Sequence, residues 1–332
     1  MSELILEVKD LHTSFYTEAG EVKAVDGISF AIEKGKTLGI VGESGSGKSI
    51  TSLSILRLLE GTSGKIIGGE ILFKGENLLT KNKQQMRQIR GNHISMVFQE
   101  PMTSLNPTMT CGEQIAETIQ LHQKLSKLQA KLDAIEMLKK VGMPEPKKRA
   151  SQYPFELSGG MRQRVMIAIA LSCNPDLLIA DEPTTALDVT IQAQILRLIK
   201  NLQGDFGTAL IMITHDLGVI AETCDEVAVM YCGKIVEYTN VKNIFTDPKH
   251  PYTIGLLKSI PSHESDIEGD LDIISGTVPS PHNLPKGCSF APRCPYAKEI
   301  CNERLPELMG LGENRSVRCF IYQENNWEGA KP

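Results

Sequence analysis

The sequence lacks several features that assign proteins to common classes. No apolar run approaches the roughly 20 residues needed to span a bilayer, and the first residues lack the basic-then-apolar order of a signal peptide. The net charge of −5 gives no basic field for nucleic acid. No internal repeat or low-complexity segment is present. These absences predict a cytosolic chain that reaches a membrane only through a partner protein.

Length and composition predict a large globular core with an appended unit. The 332 residues exceed one average domain, and a hydrophobic fraction of 41% with 23% charged residues is ordinary for a soluble protein. From Thr246 onward proline becomes frequent and the regular apolar spacing weakens. The predicted division is therefore a core at 1–245 and a C-terminal extension at 246–332.

The eight cysteines are unevenly distributed. Four are isolated and are predicted to act as small buried hydrophobes: Cys111, Cys173, Cys224 and Cys232. Four others fall close together near the end of the chain, separated by 5, 6 and 17 residues: Cys288, Cys294, Cys301 and Cys319. In a reducing compartment such a cluster indicates metal more than disulfides. The spacing matches no short zinc ribbon, so it leaves the metal, or its absence, open.

Apolar runs that end in polar loops predict a sheet. The predicted strands are Leu4–Val8, Ile28–Ile32, Thr37–Val41, Ile94–Phe98, Leu177–Ala180 and Leu210–Ile213. The last three are almost continuously apolar, which is typical of parallel strands covered on both faces. Val227–Tyr231 and Lys234–Tyr238, separated by two residues, predict a closing hairpin.

Helical spacing interrupts this pattern. Apolar residues between Gly112 and Gly142 recur at steps of three and four, which predicts helices. We expect an inserted helical subdomain at about 100–173, ending in a helix at Met161–Cys173. A further helix is predicted from Ser49 to Leu59, stopped by Gly61.

A glycine-rich loop follows the predicted strand Thr37–Val41. It fits the pattern G-x-x-x-x-G-K-[ST], in which small residues let backbone N–H groups wrap phosphates at a helix N-terminus. Lys48 supplies a cation for the β- and γ-phosphates, and Ser49 offers a hydroxyl to Mg²⁺. The predicted nucleotide contacts are Gly42, Ser44, Gly45, Ser46, Gly47, Lys48, Ser49 and Ile50.

Polar residues follow three of the predicted strands. Asp181 and Glu182 end the strand at Leu177–Ala180, where one carboxylate can reach a magnesium ion and the other can polarise a water. Gln99 follows Ile94–Phe98, and His215 follows Leu210–Ile213 closely. Taken alone, Gln99 is more often a polar strand end and His215 a satisfied core histidine.

A second glycine-rich helix start lies at Leu157–Gln163, with the sequence LSGGMRQ. Ser158, Gly159 and Gly160 open the predicted helix, so their N–H groups form an anion site. The chain already has one phosphate loop and no obvious use for a second phosphate site of its own.

Together, the phosphate loop, the LSGG segment and the acidic strand end resemble the ATP-binding subunit of an ABC transporter, from about Leu4 to Cys319. The resemblance implies an α/β fold of the ABC-type P-loop NTPase class. Its parts are a RecA-like core with an antiparallel β layer, a helical subdomain and an irregular C-terminal extension. It also implies ATP and Mg²⁺ as ligands.

The resemblance also implies a role for each catalytic candidate. Asp181 orients Mg²⁺ together with Ser49 and Gln99, and Glu182 is the general base. Gln99 touches the metal and the attacking water. His215 senses the γ-phosphate, and it is expected to act in catalysis with Glu182 and Gln99.

Further contacts are implied across a dimer of two such chains. The LSGG residues Ser158, Gly159 and Gly160 face the ATP bound by the opposite subunit, so two ATP molecules are sandwiched between two cassettes. Asp188 belongs to the segment Ala186–Asp188, which resembles a loop that communicates between subunits. Phe15 matches the adenine-stacking aromatic, with Tyr16 as the alternative.

The C-terminal region is similar to that of peptide-importer ATPases. The segments that carry this likeness are His250–Thr253 and Pro285–Pro295, and Pro101–Pro107, earlier in the chain, agrees with the same branch. The likeness implies ATP-driven import of oligopeptides or dipeptides, with nickel or another small solute as a variant within the same branch. Related chains carry a [4Fe-4S] cluster on the corresponding cysteines, so a cluster on Cys288, Cys294, Cys301 and Cys319 is the first expectation, zinc the second and no metal the third.

The resemblance implies partners as well. We expect a paralogous second ABC ATPase forming a heterodimer, two transmembrane permease subunits contacted by Gln99–Thr110, and, indirectly, an extracytoplasmic peptide-binding protein. No nucleic acid is expected, and the chain would lie peripherally on the cytoplasmic face of the cell membrane. A soluble ABC ATPase of translation or DNA maintenance fits less well, because the chain has a single nucleotide domain. Intact Glu182 and His215 argue against a module that binds ATP without turnover.

Overall fold

The computed structural model describes residues 3–185, 187–259, 274–312 and 314–323. Contacts between Cα atoms divide the chain into two compact units. Unit 1 comprises Met1–Leu6, Ala31–Thr37 and Leu72–Ile213, and unit 2 comprises Glu7–Phe30, Leu38–Ile71 and Thr214–Pro332. Each unit therefore draws on three separated stretches of the chain.

Twelve strands are found in the described ranges: β1 Leu4–Thr17, β2 Gly20–Glu33, β3 Thr37–Val41, β4 Gly64–Phe73, β5 Glu76–Asn77, β6 Ile94–Val97, β7 Leu177–Asp181, β8 Ala209–Thr214, β9 Glu226–Tyr231, β10 Lys234–Asn240, β11 Met309–Gly312 and β12 Arg315–Val317. The α-helices in the same ranges are α1 Lys48–Ile55, α2 Lys83–Ile89, α3 Pro101–Ser104, α4 Cys111–Gln123, α5 Lys127–Lys140, α6 Pro146–Ala150, α7 Gly159–Leu171, α8 Val189–Phe206, α9 Leu217–Thr223, α10 Val241–Thr246, α11 Pro251–Lys258 and α12 Glu299–Glu303.

Three parallel strands form the centre of unit 1. β7 lies between β6 and β8, with Leu178 paired to Ser95 on one side and to Leu210 on the other. Every residue of β7 is buried, which is why its sequence is almost continuously apolar. Because the strands are parallel, their carboxyl ends meet at one edge, and the polar residues that follow β6 and β7 lie there.

The helical part of unit 1 follows the predicted spacing. Thr110 caps α4 and exchanges hydrogen bonds with Glu113, while the Ser126 hydroxyl accepts the Gln129 N–H at the start of α5. Helices α4 and α5 pack against each other and against α7. Their apolar faces are buried at Ile115, Ile119, Ala130, Ala134 and Leu138.

In unit 2 the centre is formed by β3, β9 and β10. β3 pairs in parallel with β9, and β9 pairs antiparallel with β10. The two residues between β9 and β10, Cys232 and Gly233, have φ angles of 44° and 78°. Left-handed conformations at both positions are those of a type I′ turn, which matches the twist of paired strands. The predicted hairpin is confirmed.

The C-terminal extension adds two strands to this sheet. β12 pairs antiparallel with β10, with Glu237 opposite Val317, and β11 pairs antiparallel with β12. The sequence analysis did not predict either strand. Both are only three or four residues long, and every second residue of β11 is glycine, so neither gives the run of strand-forming residues that would predict a strand.

The helix after the phosphate loop is shorter than predicted. We expected it to reach Leu59, but α1 ends at Ile55. Arg57 then takes a left-handed φ of 52°, and its guanidinium donates to the Glu60 carboxylate. The apolar residues that follow Ile55 thus belong to a compact turn.

The four isolated cysteines differ in burial. Cys111 and Cys232 are buried, whereas Cys173 and Cys224 are partly buried. Burial raises the pKa of both Cys111 and Cys232 to about 11. In the part of the chain that the structure describes, no helix is both long and apolar enough to cross a membrane.

Candidate nucleotide-binding site

The phosphate loop connects β3 to α1 within unit 2. Gly42 lies against the carbonyl oxygen of Met230, and Gly47, with a φ of 102°, lies against that of Ala24; a Cβ atom at either position would overlap that oxygen. The loop is also held by the Gly233 N–H, which donates to the Ser46 carbonyl at 2.9 Å. These close backbone contacts explain why only glycine fits at both positions.

Lys48 is the first residue of α1, and its side chain crosses the loop. Its Nζ donates to the carbonyl oxygens of Gly42 at 2.7 Å and Glu43 at 3.0 Å. The side chain is buried, so the ammonium is held beside the loop backbone. Ser44 and Gly45 at the loop tip are exposed, and Ser49 and Ile50 in the first turn of α1 are half-buried.

The two candidate adenine-stacking residues lie at the end of β1. Phe15 is half-buried and packs against Gly64: a Cβ atom on Gly64 would lie 2.8 Å from the ring. Tyr16 is 47% exposed, and the Lys65 ammonium lies 5.5 Å from its ring centroid. Neighbouring residues of a strand point to opposite faces, so only one of the two rings can face a given ligand.

The edge of the sheet in unit 1 brings Gln99 and Glu182 together. The Gln99 amide donates to Glu182 Oε2 at 2.9 Å, and the Thr185 hydroxyl donates to the same oxygen at 2.9 Å. Glu182 has a left-handed φ of 45° and its N–H donates to the Ile213 carbonyl at 2.8 Å. A non-glycine residue in this conformation is uncommon and carries some backbone strain. Asp181, the last residue of β7, is buried.

The remaining predicted residues lie at helix starts and after β8. The Ser158 hydroxyl accepts the Met161 N–H at 3.4 Å and caps α7, whose first residues are Gly159 and Gly160. Asp188 caps α8 by accepting the Ile191 N–H at 2.9 Å, which gives this residue a structural role as well. His215 follows β8 and is exposed. Ala186 of the predicted subunit-communication loop lies outside the described residues.

The structure separates these residues into the two units. Unit 1 holds Gln99, Asp181, Glu182, the start of α7 and Asp188, while unit 2 holds Phe15, the phosphate loop and His215. Within unit 1, Gln99 and Glu182 are in direct contact. Within unit 2, Lys48 contacts the backbone of the phosphate loop, and its role toward the phosphates stays a prediction.

The four C-terminal cysteines line one small cavity in unit 2. The other residues around it include His250, Phe290 and Phe320, so its wall is largely apolar. The Cys288 N–H donates to the Cys301 carbonyl at 2.7 Å. Burial and the neighbouring thiols raise the pKa of Cys294 to about 11 and that of Cys319 to about 12. Among the described residues, no group of three or more His, Cys, Asp or Glu side chains is arranged to hold a metal ion.

Sequence reasoning missed a set of contacts between the phosphate loop and the extension. The Arg293 guanidinium makes two hydrogen bonds to the Glu43 carboxylate, at 2.7 and 3.0 Å. The Tyr252 hydroxyl accepts the Glu43 N–H at 2.8 Å. One feature of the sequence could have predicted these contacts. Glu43 is the only acidic residue in the phosphate-binding loop, and a carboxylate there needs a cation nearby to neutralise its charge.

The fold and these residues define a P-loop nucleotide-binding cassette. The family described as "ABC transporter" matches residues 25–185, and the family described as "Oligopeptide/dipeptide transporter, C-terminal region" matches residues 236–301. The chain belongs to the ATP-binding subunits of ABC transporters, in the branch that carries this C-terminal region. The predicted family and fold class are thereby confirmed.

Several relatives match almost the whole chain. The oligopeptide transport ATP-binding protein AppD of Bacillus subtilis is 53% identical over 98% of this chain and 98% of its own length. OppD of the same organism, also an oligopeptide transport ATP-binding protein, is 54% identical over 96% of this chain and 88% of its own. The dipeptide transport ATP-binding protein DppD of B. subtilis is 50% identical over 97% and 96%.

Solved structures agree in fold. The ATP-binding cassette MJ0796, in a dimeric post-hydrolysis state bound to ADP and phosphate, gives a TM-score of 0.64 at 28% identity. The match covers 71% of this chain and 98% of that one. A second match, cbiO1 from Clostridium perfringens, part of an ABC transporter complex, gives a TM-score of 0.62 at 28% identity, covering 74% and 92%.

Proposed function

We propose that this chain binds and hydrolyses ATP to drive the import of oligopeptides or dipeptides through a membrane ABC transporter. The observation that carries the proposal is the combination, in one chain, of the phosphate loop with a C-terminal region of the oligopeptide/dipeptide type. The curated relatives support it, because AppD, OppD and DppD are named for oligopeptide or dipeptide transport.

ATP binding is assigned to the phosphate loop and to one aromatic residue of β1. Backbone N–H groups from Ser44 to Ser49 surround the phosphates, and Lys48 neutralises the β- and γ-phosphates. Ser49 and Asp181 ligate Mg²⁺ together with Gln99. Phe15 carries the adenine, because its half-buried ring is fixed against Gly64.

Hydrolysis is assigned to Glu182 as general base and His215 as the γ-phosphate sensor. The Gln99 amide and the Thr185 hydroxyl both donate to Glu182 Oε2 and hold the carboxylate in place, and as general base this carboxylate accepts a proton from the attacking water. Glu182 has a left-handed backbone and directly follows the last residue of the buried strand β7, which fixes where its side chain begins. Gln99, bonded to Glu182, positions the same water.

The active assembly is proposed to be a heterodimer with a paralogous cassette. The N-terminus of α7, with Ser158, Gly159 and Gly160, then binds the ATP held by the partner, and Asp188 lies at the subunit contact. The dimeric state of MJ0796 bound to ADP and phosphate supports such an arrangement for cassettes of this fold. Two permease subunits and, indirectly, an extracytoplasmic peptide-binding protein complete the assembly, which places this chain on the cytoplasmic face of the membrane.

The permease contact is assigned to the surface around Gln99–Thr110. Met102 is 65% exposed and its sulfur lies against Arg162, while Phe155 is 64% exposed and stacks on Tyr153 with ring centroids 5.5 Å apart. Large apolar side chains exposed together on one unit are typical of a protein–protein contact. They lie on the helical part of unit 1, where the coupling helices of the permeases are expected to bind.

The cysteine cavity is proposed to hold a [4Fe-4S] cluster on Cys288, Cys294, Cys301 and Cys319. All four residues line one cavity, and its apolar wall suits a cluster shielded from water. Zinc bound by the same four cysteines is the second candidate. Such a cluster would cross-link the extension and need not transfer electrons.

Replacing Glu182 by Gln tests the hydrolysis assignment. The transporter reconstituted in proteoliposomes should bind ATP normally, lose turnover by about 10²- to 10⁴-fold and accumulate a closed ATP-bound dimer. ATP turnover and peptide uptake are measured together, with Glu303→Gln, an exposed residue of the extension, as the control. Unchanged turnover would remove Glu182 from the catalytic role, and ATP turnover stimulated by nickel instead of peptide would redirect the substrate assignment.

Anaerobic purification tests the cluster assignment. Bound iron and sulfide with a broad visible absorbance are expected in the wild type, and both should be lost in Cys288→Ser. The matched control is Cys173→Ser, which changes a cysteine outside the cavity. Stoichiometric zinc, or no metal in protein kept anaerobic throughout, would contradict the assignment.

A further inference from the structure

The C-terminal extension reaches the phosphate loop through one residue, Glu43. Three separate groups of Glu43 are engaged. Its carboxylate pairs with Arg293, its N–H donates to the Tyr252 hydroxyl, and its carbonyl accepts from Lys48 Nζ. Arg293 is 250 positions further along the chain and Tyr252 is 209 positions further. A single loop residue therefore joins the phosphate-binding lysine to the extension.

Glu43 presents an electrostatic problem for an ATP site. It is the only acidic residue between Gly42 and Ser49, and a carboxylate in that loop repels the phosphates of ATP. Its side chain is 28% exposed, so water screens its charge only in part. The Arg293 side chain that neutralises it is 5% exposed. A buried fork with two hydrogen bonds fixes both the charge and the direction of the carboxylate.

Arg293 is itself held rigidly. Its Nη1 also donates to the Tyr231 hydroxyl at 3.3 Å, and its Nε donates to the Ser275 carbonyl at 3.2 Å. The guanidinium lies 6.0 Å from the ring centroid of Phe290. The cation is therefore preorganised before any nucleotide arrives.

We propose that Arg293 and Tyr252 of the C-terminal extension are positioning residues of the ATP site, which neutralise and orient Glu43 so that the phosphate loop accepts ATP. The proposal rests on ATP binding at this loop, as expected from the family, and not on the identity of the transported solute. It assigns to the extension a part in nucleotide affinity.

Removing the two charges singly and together distinguishes this electrostatic role from simple structural support. Replacing Arg293 by Met should raise the Kd of the purified full-length chain for ATP about tenfold, because Glu43 is then left unneutralised near the phosphates. Replacing Glu43 by Gln removes the repulsive charge. The double variant R293M/E43Q should therefore bind ATP better than R293M alone, and its Kd should return to within about threefold of the wild-type value.

The measurements are ATP affinity with a fluorescent ATP analogue and ATP turnover in the reconstituted transporter. For R293M we expect a raised KM with kcat nearly unchanged, and a ratio of the R293M Kd to the wild-type Kd that shrinks with added salt as the Glu43 charge is screened. Tyr252→Phe, which removes the acceptor of the Glu43 N–H, should raise the Kd about two- to threefold. Arg304→Met, an arginine of the same extension outside this contact, is the matched control and should match the wild type.

Two outcomes would overturn the proposal. One is an unchanged ATP affinity in R293M whose melting temperature matches the wild type. The other is a double variant that binds ATP as weakly as R293M, which would make the pair a structural clamp with no electrostatic part. If R293M fails to fold, the single variants Arg293→Lys and Glu43→Gln test the proposal instead. The lysine variant should bind ATP less tightly than the wild type, and E43Q should bind ATP as tightly as the wild type.

Discussion

The strongest stability prediction concerns Glu237, a fully buried carboxylate in β10. Its Oε1 accepts the Lys249 N–H at 2.9 Å and an Arg315 N–H at 3.2 Å, and its Oε2 accepts the His250 N–H at 2.8 Å. Exposure of the Glu237 side chain is 0% and that of Arg315 is 9%. One carboxylate thus joins β10, the segment before α11 and β12.

Glu237→Ala removes all three acceptor contacts at once. Each buried N–H left without a partner costs about 1–3 kcal/mol, and breaking a buried ion pair from one side costs about 3–5 kcal/mol. These terms overlap, since Arg315 keeps Asp247 as a partner, so the expected loss is about 3–5 kcal/mol of unfolding free energy. For a chain of this size that lowers the melting temperature by roughly 10 °C.

The assay is thermal and urea unfolding of the full chain followed by circular dichroism. Glu237→Gln should lose roughly half as much stability, because one oxygen still accepts an N–H while the amide group faces another donor. Glu303→Ala, at an exposed position of the extension, should unfold like the wild type. A Glu237→Ala chain within about 1 kcal/mol of wild type would refute the reasoning.

Two further predictions concern unit 2. Phe15→Ala should weaken ATP binding by about tenfold, whereas Tyr16→Ala should weaken it far less. The reason is that Phe15 is fixed against Gly64, while Tyr16 is largely exposed. Equal losses of affinity for the two variants in an ATP titration would count against Phe15. Burial pushes the pKa of Asp26 up, but the Lys234 ammonium outweighs it and holds that pKa below its usual range. The stability from this pair is therefore present above about pH 4 and lost as the pH falls below it. Asp26→Asn should cost about 1 kcal/mol at pH 7 and less at pH 3.5, and an equal cost in unfolding experiments at both pH values would contradict this.

Local sequence signals were sufficient for the elements that carry nucleotide chemistry. The phosphate loop, the strand ending at Asp181 and the hairpin turn at Cys232 each depend on residues adjacent in the chain. Glycine spacing, continuous apolar character and turn chemistry report such features directly. The contact between Gln99 and Glu182 was not predicted; it arises because the parallel strands β6 and β7 bring their carboxyl ends to one edge.

The features that the sequence did not reveal are non-local. The bond between Arg293 and Glu43 joins residues 250 positions apart, and no local pattern marks either side chain as a partner of the other. The strands β11 and β12 are too short to show an alternating pattern and exist because β10 offers them a pairing edge. The early end of α1 depends on the left-handed conformation of Arg57. The apolar residues around Arg57 instead suggest that the helix continues.

The pairing of β12 with β10 has a consequence for where this protein can be cut. Without the extension, β10 would expose a row of unpaired N–H and C=O groups, a template for strand-to-strand aggregation. The added strand β11 makes a poorer template, since it is only four residues long, contains Gly310 and Gly312, and its register shifts between them. A cassette truncated at residue 245 would therefore tend to self-associate, whereas in the full chain β12 pairs with β10 at Glu237 and Tyr238, and the short, irregular β11 forms the new border of the sheet.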